Sequence, residues 1–523
     1  MKLQHLFLII HTILLIIVAY LVNDYVPDPY MDEIFHISQA KQYCNGNYFD
    51  WNPKLTTPPG LYIISNLILK PLSFLPIRHL CSTNFLRATN VLFGIGLYLI
   101  LWKLTIKLHS SQDRDLLSFN TFTLSIFPVG WFYNFLYYTD SGSTFFVLWS
   151  YLLSIEERYW LSGLVGGISV LFRQTNIVWV CFILGTSMLT LLSSGNKGSN
   201  IRGKKMIYYR GINVRLNIAI QEINSFLALA AKNFLRLLII LFSYFLILLS
   251  FIIFLKWNGG IVLGDKSNHV AVLHIPQIFY FISFTTIFSI PITLKVEHFE
   301  RLLNGILKPR FNRKSLYLFI IAIIMIFVIY TFTYEHPFLL SDNRHYTFYI
   351  WKDIYRRHYL IKYLLIPAYL IGGWILLESI ALRQSFLWVL IYIIAVCLSL
   401  IPSPLLEFRY FIIPYYIFRL HIGQPNGLRL FLEFLIYAII NVKTEHLFLE
   451  KPFIWFSEIH KWQSLITERY TWQEYQLLLA QVSAFPVKIK IDSSLGKAGL
   501  EVKLLMFDAG YLSCYHSVTT SQH

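Results

Sequence analysis

The sequence predicts an all-α polytopic membrane protein, and three observations carry that prediction. Hydrophobic residues make up 56% of the 523-residue chain against 14% charged, and the mean hydropathy is +0.55, a composition far from that of soluble domains. The apolar residues fall in long runs. The basic residues gather between those runs: seven against one acid in 194–232, and six against two in 295–314. Such loops face the cytoplasm under the positive-inside rule, so the net charge of +16 reads as topology and no nucleic-acid partner is expected.

Taken in order, the run 6–22 is long enough to span and has no small-residue cleavage pattern after it, which predicts an uncleaved first transmembrane helix. Further runs near 86–107, 117–135, 141–155, 159–172, 175–193, 233–256, 274–294, 315–333, 359–378, 384–401, 409–420 and 428–442 follow. Several are short, and the expected count is roughly eleven to thirteen spans. The segment 61–76 is apolar but broken by Lys70 and Pro71, so it is expected to lie in the membrane interface and complete a large first loop, 23–85.

With the amino terminus cytoplasmic, the basic loops 194–232 and 295–314 both fall on the cytoplasmic side. The opposite face then receives loop 23–85 together with the polar stretches 137–140, 173–176, 257–270, 335–346 and 402–410. The basic stretch 351–362 breaks the charge rule on that face: either it binds anionic groups, or the span count shifts by one there. The membrane pattern ends at about 442, dividing the chain into a membrane domain, 1–442, and a tail, 443–523, of no assigned type. The five cysteines show neither metal spacing nor a disulfide framework. Free thiols are expected, although Cys44 and Cys81 share the first loop, which leaves one bridge open in an oxidising compartment.

The chemistry concentrates in loop 23–85. It holds five carboxylates (Asp24, Asp28, Asp32, Glu33, Asp50) in its first half, and Asp28-Pro29 predicts the start of a short helix carrying Asp32, Glu33 and His36 on one face. Adjacent acids on a loop fastened to a membrane suit removal of a proton from a hydroxyl near a lipid-anchored substrate. One carboxylate suffices when the leaving group is a phosphate, which departs as a stable anion and needs no general acid. Asp32 is the first choice for that base, Glu33 the second, and His36 would orient whichever acts. Acids also favour the first turn of any helix, so a plain capping role competes with this reading. A metal held by Asp32, Glu33 and His36 lacks a further ligand and is not expected. Cations for a phosphate are present on the same face in Arg173, Arg344 with His345, and Arg409, with Lys266 a weaker candidate. For each arginine the competing reading is a snorkelling or ion-paired side chain, such as Arg409 with Glu407.

The run PYMDEIFHISQAKQYCNGNYFDWNPKLTTPPGLY, followed in order by FRQTN, GDKSNHVAVLHIPQIFY, HPFLLSDNRHYTFYIWK and LLEFRYFIIPYYIFRL, resembles the endoplasmic-reticulum α-1,2-glucosyltransferase family that completes the lipid-linked oligosaccharide. The resemblance covers about residues 5–442. It implies a GT-C type glycosyltransferase, multi-pass in the endoplasmic reticulum membrane with its site facing the lumen. The implied donor is dolichyl-phosphate glucose, and the acceptor a dolichyl-pyrophosphate oligosaccharide already bearing two glucoses. A β-linked donor and an α-linked product imply inversion, with no nucleotide, cofactor or metal. In related enzymes an acid of the first luminal loop is the base, and the matching positions are Asp32 and Glu33. The tail after about 443 departs from the family pattern. Competing readings are a sister transferase using another dolichyl-phosphate sugar, and a non-catalytic transporter or channel-modulating protein, against which the absence of paired halves argues.

Overall fold

The computed structural model describes residues 2–74, 80–193, 216–297, 300, 313–341, 346–423, 425–450, 507–508 and 511–512. Residues 1–333 with 365–452 form one compact unit, built of helices. The chain enters it through α1 (Leu3–Tyr25), α2 (Glu33–Cys44), α3 (Gly60–Leu69) and α4 (Thr83–Leu108). It continues through α5 (Arg114–Ser125), α6 (Pro128–Phe132), α7 (Thr139–Ile155), α8 (Tyr159–Phe172) and α9 (Ile177–Ser193). The second unit contains 334–364, where Arg356 pairs with Glu335 at 2.9 Å, and a two-residue antiparallel ladder, Phe507–Asp508 with Tyr511–Leu512.

Among the described residues, α1, α4, Gln174–Ser193 and Ile361–Ala381 are long and apolar enough to cross a membrane. Leu216–Lys232 and Phe234–Ile240 pass that test only together and are bent by 77° at their junction, and six shorter apolar helices accompany them. Two expectations need correcting. The run 117–135 is not one span but α5, α6 and a 3-10 turn, because Pro128 has no N–H to continue α5 and instead opens α6. The loop 194–232 is helical over Leu216–Lys232, where the only charges are Glu222 and Lys232; its other basic residues lie in 194–215, outside the described residues.

Loop 23–85 is a packed layer. Ile37, Ala40 and Tyr43 of α2, Leu55, and Leu61, Tyr62 and Leu69 of α3 share one buried cluster with Leu86 and Phe93 of α4, Phe146 of α7 and Phe172 of α8. The apolar row at 61–69 therefore faces inward, while Ile63 and Leu67 stay exposed on the other side. Gly60 is required where the loop enters α3, since a Cβ there would lie 2.5 Å from the Leu171 carbonyl oxygen. The preceding turn is pinned as well: the Thr56 carbonyl accepts from Gln174 Nε2 at 2.6 Å and from the Leu263 N–H at 3.2 Å.

Cys44 and Cys81 form a disulfide, which overturns the expectation of free thiols. The end of α2 is packed beside the start of α4, and this brings the two Cα atoms to 6.6 Å, within bridging range. The pairing closes a sequence separation of 37 residues. Serine at either cysteine is therefore expected to lower the melting midpoint in detergent, the loop-closure contribution being roughly 3–4 kcal/mol. Unchanged midpoints in non-reducing buffer would show that the bridge does not form.

A second buried anchor sits at the far end of the helix Ile412–His421. Arg419 and Glu433 are both fully buried, paired at 2.7 Å, and Arg419 also donates to Asn120 Oδ1 at 2.8 Å. That triad fixes the segment leading back to Arg409 against α5 and the helix Gly427–Glu450.

Candidate active site

The short helix begins later than Asp28-Pro29 predicts. α2 starts at Glu33 because the chain turns at Met31, which holds a left-handed φ of 54°. Glu33 stabilises that turn from both sides: its N–H donates to the Tyr30 carbonyl at 3.1 Å and its carboxylate accepts the Tyr30 N–H at 2.8 Å. The second bond closes the same turn from the side chain, ahead of the N-cap. Asp32 consequently stands at the N-cap, not within the helix, and its carboxylate caps nothing.

This local geometry separates two acids that are neighbours in sequence. Glu33 is 0% exposed and fully engaged: Arg87 Nη2 at 2.6 Å, Arg87 Nε at 3.0 Å and the Tyr137 N–H at 2.5 Å join the Tyr30 N–H around it. Arg87, itself 1% exposed, also donates to the carbonyls of Val26 at 2.7 Å and Asp28 at 3.1 Å, and to Asn23 Oδ1 at 3.3 Å. The attraction within a buried ion pair repays its desolvation only when the remaining hydrogen bonds are satisfied, as they are here, and this pair ties the end of α1, the turn and α2 to α4. The Asp32 side chain is 50% exposed, and its one ion contact among the described residues is Arg409, with Nη1 at 3.5 Å from Oδ2.

His36 is buried on the same helix, and its Nδ1 lies 2.7 Å from the Tyr62 hydroxyl. Burial pushes its pKa down to about 4; Asp32 pulls it up, and Arg409 and Arg173 push it further down. The imidazole is therefore neutral near pH 7, and its hydrogen-bond partner is Tyr62 rather than either acid.

The arginines close the opposite wall. Arg173, at the end of α8, holds Asp140 through Nη1 at 3.1 Å and Nη2 at 3.4 Å, and donates from Nε to Thr139 Oγ1 at 3.2 Å. Arg409 is bound through Nε by Glu407 and reaches Asp32 with Nη1. Both guanidinium groups lie over the Tyr410 ring, at 5.4 Å and 5.8 Å from its centre. Asp32, Arg409 and Arg173, drawn from three distant parts of the chain, thus border one site. Lys266 does not join that cluster of contacts: it is exposed and donates to the Asn258 carbonyl at 2.6 Å. Arg344 and His345 lie outside the described residues.

Three residues at the site were missed by sequence reasoning. Arg87 had a usable signal, being the one charge between Thr83 and Trp102 in a spanning helix, where a lone ionised group calls for a partner. Asp140 and Tyr138 sit in the stretch 137–140, where Tyr138 is read only as one of the aromatics of an interfacial belt or of a sugar-stacking face and Asp140 is given no role.

A family model described as the DIE2/ALG10 family matches residues 26–420. Among curated proteins, one from Rattus norvegicus named "Dol-P-Glc:Glc(2)Man(9)GlcNAc(2)-PP-Dol alpha-1,2-glucosyltransferase" is 39% identical over 458 residues, covering 85% of this chain and 93% of its own length. Relatives of the same name from Mus musculus and Arabidopsis thaliana are 40% and 35% identical, covering 82% and 84% of this chain and 91% and 95% of their own lengths. Among solved structures, the apo Archaeoglobus fulgidus oligosaccharyltransferase aligns at 15% identity over 84% of this chain and 55% of that one, with a TM-score of 0.33, too low to bear on the fold.

Proposed function

The chain belongs to the DIE2/ALG10 family, and from that premise we propose that it transfers glucose from dolichyl-phosphate glucose, with inversion, to the two-glucose dolichyl-pyrophosphate-linked oligosaccharide, forming the α-1,2 linkage in the names of its relatives. The proposed setting is the endoplasmic reticulum membrane with the site toward the lumen, and the proposed class is GT-C. The observation that carries the mechanism is the division of labour between the adjacent acids: Asp32 is half-exposed and faces the arginines, whereas Glu33 is spent on Arg87.

Asp32 takes the proton of the acceptor hydroxyl as that oxygen attacks the anomeric carbon. The bond from this carbon to the phosphate oxygen breaks, and its electron pair leaves with dolichyl phosphate. A single displacement inverts the β-linked donor to an α-linked product, and the phosphate needs no general acid. The leaving phosphate gains negative charge, and Arg173 and Arg409 are the cations at hand. Asp140 and Glu407 hold them in place before substrate arrives, so little reorganisation is needed during the step. His36, neutral and bound to Tyr62, lines the site without supplying charge. Lys266 receives no role in this scheme.

The function is tested by supplying purified full-length protein with dolichyl-phosphate glucose and the two-glucose lipid-linked acceptor and resolving the product sugars. A three-glucose product is expected; its absence, or equal use of dolichyl-phosphate mannose, overturns the reading. The arginines make a separate prediction. Glutamine at Arg173 or Arg409 is expected to raise the donor KM about ten-fold or more, the worth of one charge-assisted contact. An unchanged donor KM in both variants removes them from phosphate binding.

A further inference from the structure

We propose that Tyr138 is a positioning residue for transfer, holding Asp32 and Arg409 in fixed relation from one side chain. The proposal rests on the reading of Asp32 as the base.

The geometry starts at the left-handed turn. Tyr30 and Asp32 flank Met31, and a left-handed non-glycine residue persists only where its surroundings hold it. The Tyr138 hydroxyl touches both flanks: it accepts the Asp32 N–H at 3.0 Å and donates to the Tyr30 carbonyl at 3.3 Å. A single oxygen thus staples the turn that presents the Asp32 carboxylate. The ring of the same residue lies under the Arg409 guanidinium, 5.8 Å from its centre, and beside the His36 ring at 5.8 Å. Tyr138 therefore contacts both the base's backbone and the cation facing the base.

Its own placement is secure. The ring is 3% exposed. The backbone is held at both groups, its N–H by the Leu136 carbonyl at 2.9 Å and its carbonyl by Asn90 Nδ2 at 2.8 Å. The residue before it, Tyr137, donates its N–H to Glu33. Tyr138 therefore stands on the same α4-anchored platform as the Glu33–Arg87 pair, and transmits that rigidity to Asp32, whose own side chain has no comparable support.

Hydroxyl and ring can be removed separately. Tyr138→Phe keeps the ring under Arg409 and deletes only the staple, with every other backbone bond of Tyr138 left in place, so the fold is expected to be retained. The expected result is a kcat lowered about ten- to a hundred-fold, the scale of an ångström-sized misplacement of a reacting group, with donor KM within about two-fold and an unchanged melting midpoint. Tyr138→Ala deletes the cation contact too, and is expected to raise donor KM in addition. These variants are assayed alongside Asp32→Asn, in full-length protein in detergent. If Asp32→Asn is inactive and Tyr138→Phe turns over like wild type, the positioning role is overturned while the base stands. A Tyr138→Phe loss of kcat that tracks a lowered melting midpoint also overturns it, since that is a stability effect. If Asp32→Asn is fully active, the base assignment fails and this role fails with it.

Discussion

Replacing Asp32 with asparagine is expected to abolish glucosyl transfer while leaving the fold intact. A positioned general base contributes about two to four orders of magnitude in rate, so turnover should fall by about a thousand-fold. Stability should move by no more than about 0.5 kcal/mol, because the side chain is half-exposed and its ion contact with Arg409 is long. The donor KM should stay near its wild-type value, since asparagine fills the same space and Arg173 and Arg409 are untouched. The measurement is initial-rate kinetics beside a melting curve. A variant that keeps wild-type turnover removes Asp32 as the base.

The neighbouring acid should behave in the opposite way. Breaking the Glu33–Arg87 pair by Arg87→Ala leaves a carboxylate buried at 0% exposure with its principal partner gone, a change that costs about 3–5 kcal/mol. The protein should melt far earlier and accumulate poorly. Glu33→Gln should cost less, because the amide oxygen still accepts two of the four donors, but it leaves the guanidinium buried without its counter-charge. The decisive comparison is between activity lost per folded molecule and folded molecules lost. For Asp32→Asn the first dominates; for Arg87→Ala the second does. If Glu33→Gln were as stable as wild type and as inactive as Asp32→Asn, the two acids would have to exchange roles.

How far the sequence reveals this arrangement can be followed residue by residue. The long helices α1 and α4 are plain in it because lipid demands an uninterrupted apolar length, and composition reports that directly. The loop is plain too, since five carboxylates beside a membrane span have no structural reason to gather. The choice between Asp32 and Glu33 is not, because it is made by Arg87, whose hydrogen bonds to Glu33 span a separation of 54 residues. The same holds for the approach of Arg409 to Asp32 across a separation of 377. Besides the run 117–135 and the loop 194–232, local signals failed at Asp28-Pro29: a sound helix start lost to the Tyr30–Glu33 reach-back bond, itself fixed by the distant pair. The disulfide escaped for a similar reason, since spacing says nothing of two ends that only the packing of α2 beside α4 brings together.

That bridge has a further consequence. α2 is fastened at both ends, covalently from Cys44 to Cys81 just ahead of α4 and by charge from Glu33 to Arg87 of α4. Two-point attachment is bivalency within one chain: with either fastening closed, the other re-forms at the high effective concentration of a short tether. A twelve-residue helix held in this way cannot drift from α4 by a single failure. Reductant alone leaves the ion pair in place, and loss of the ion pair alone leaves the bridge, so the two losses should be worth more together than their sum.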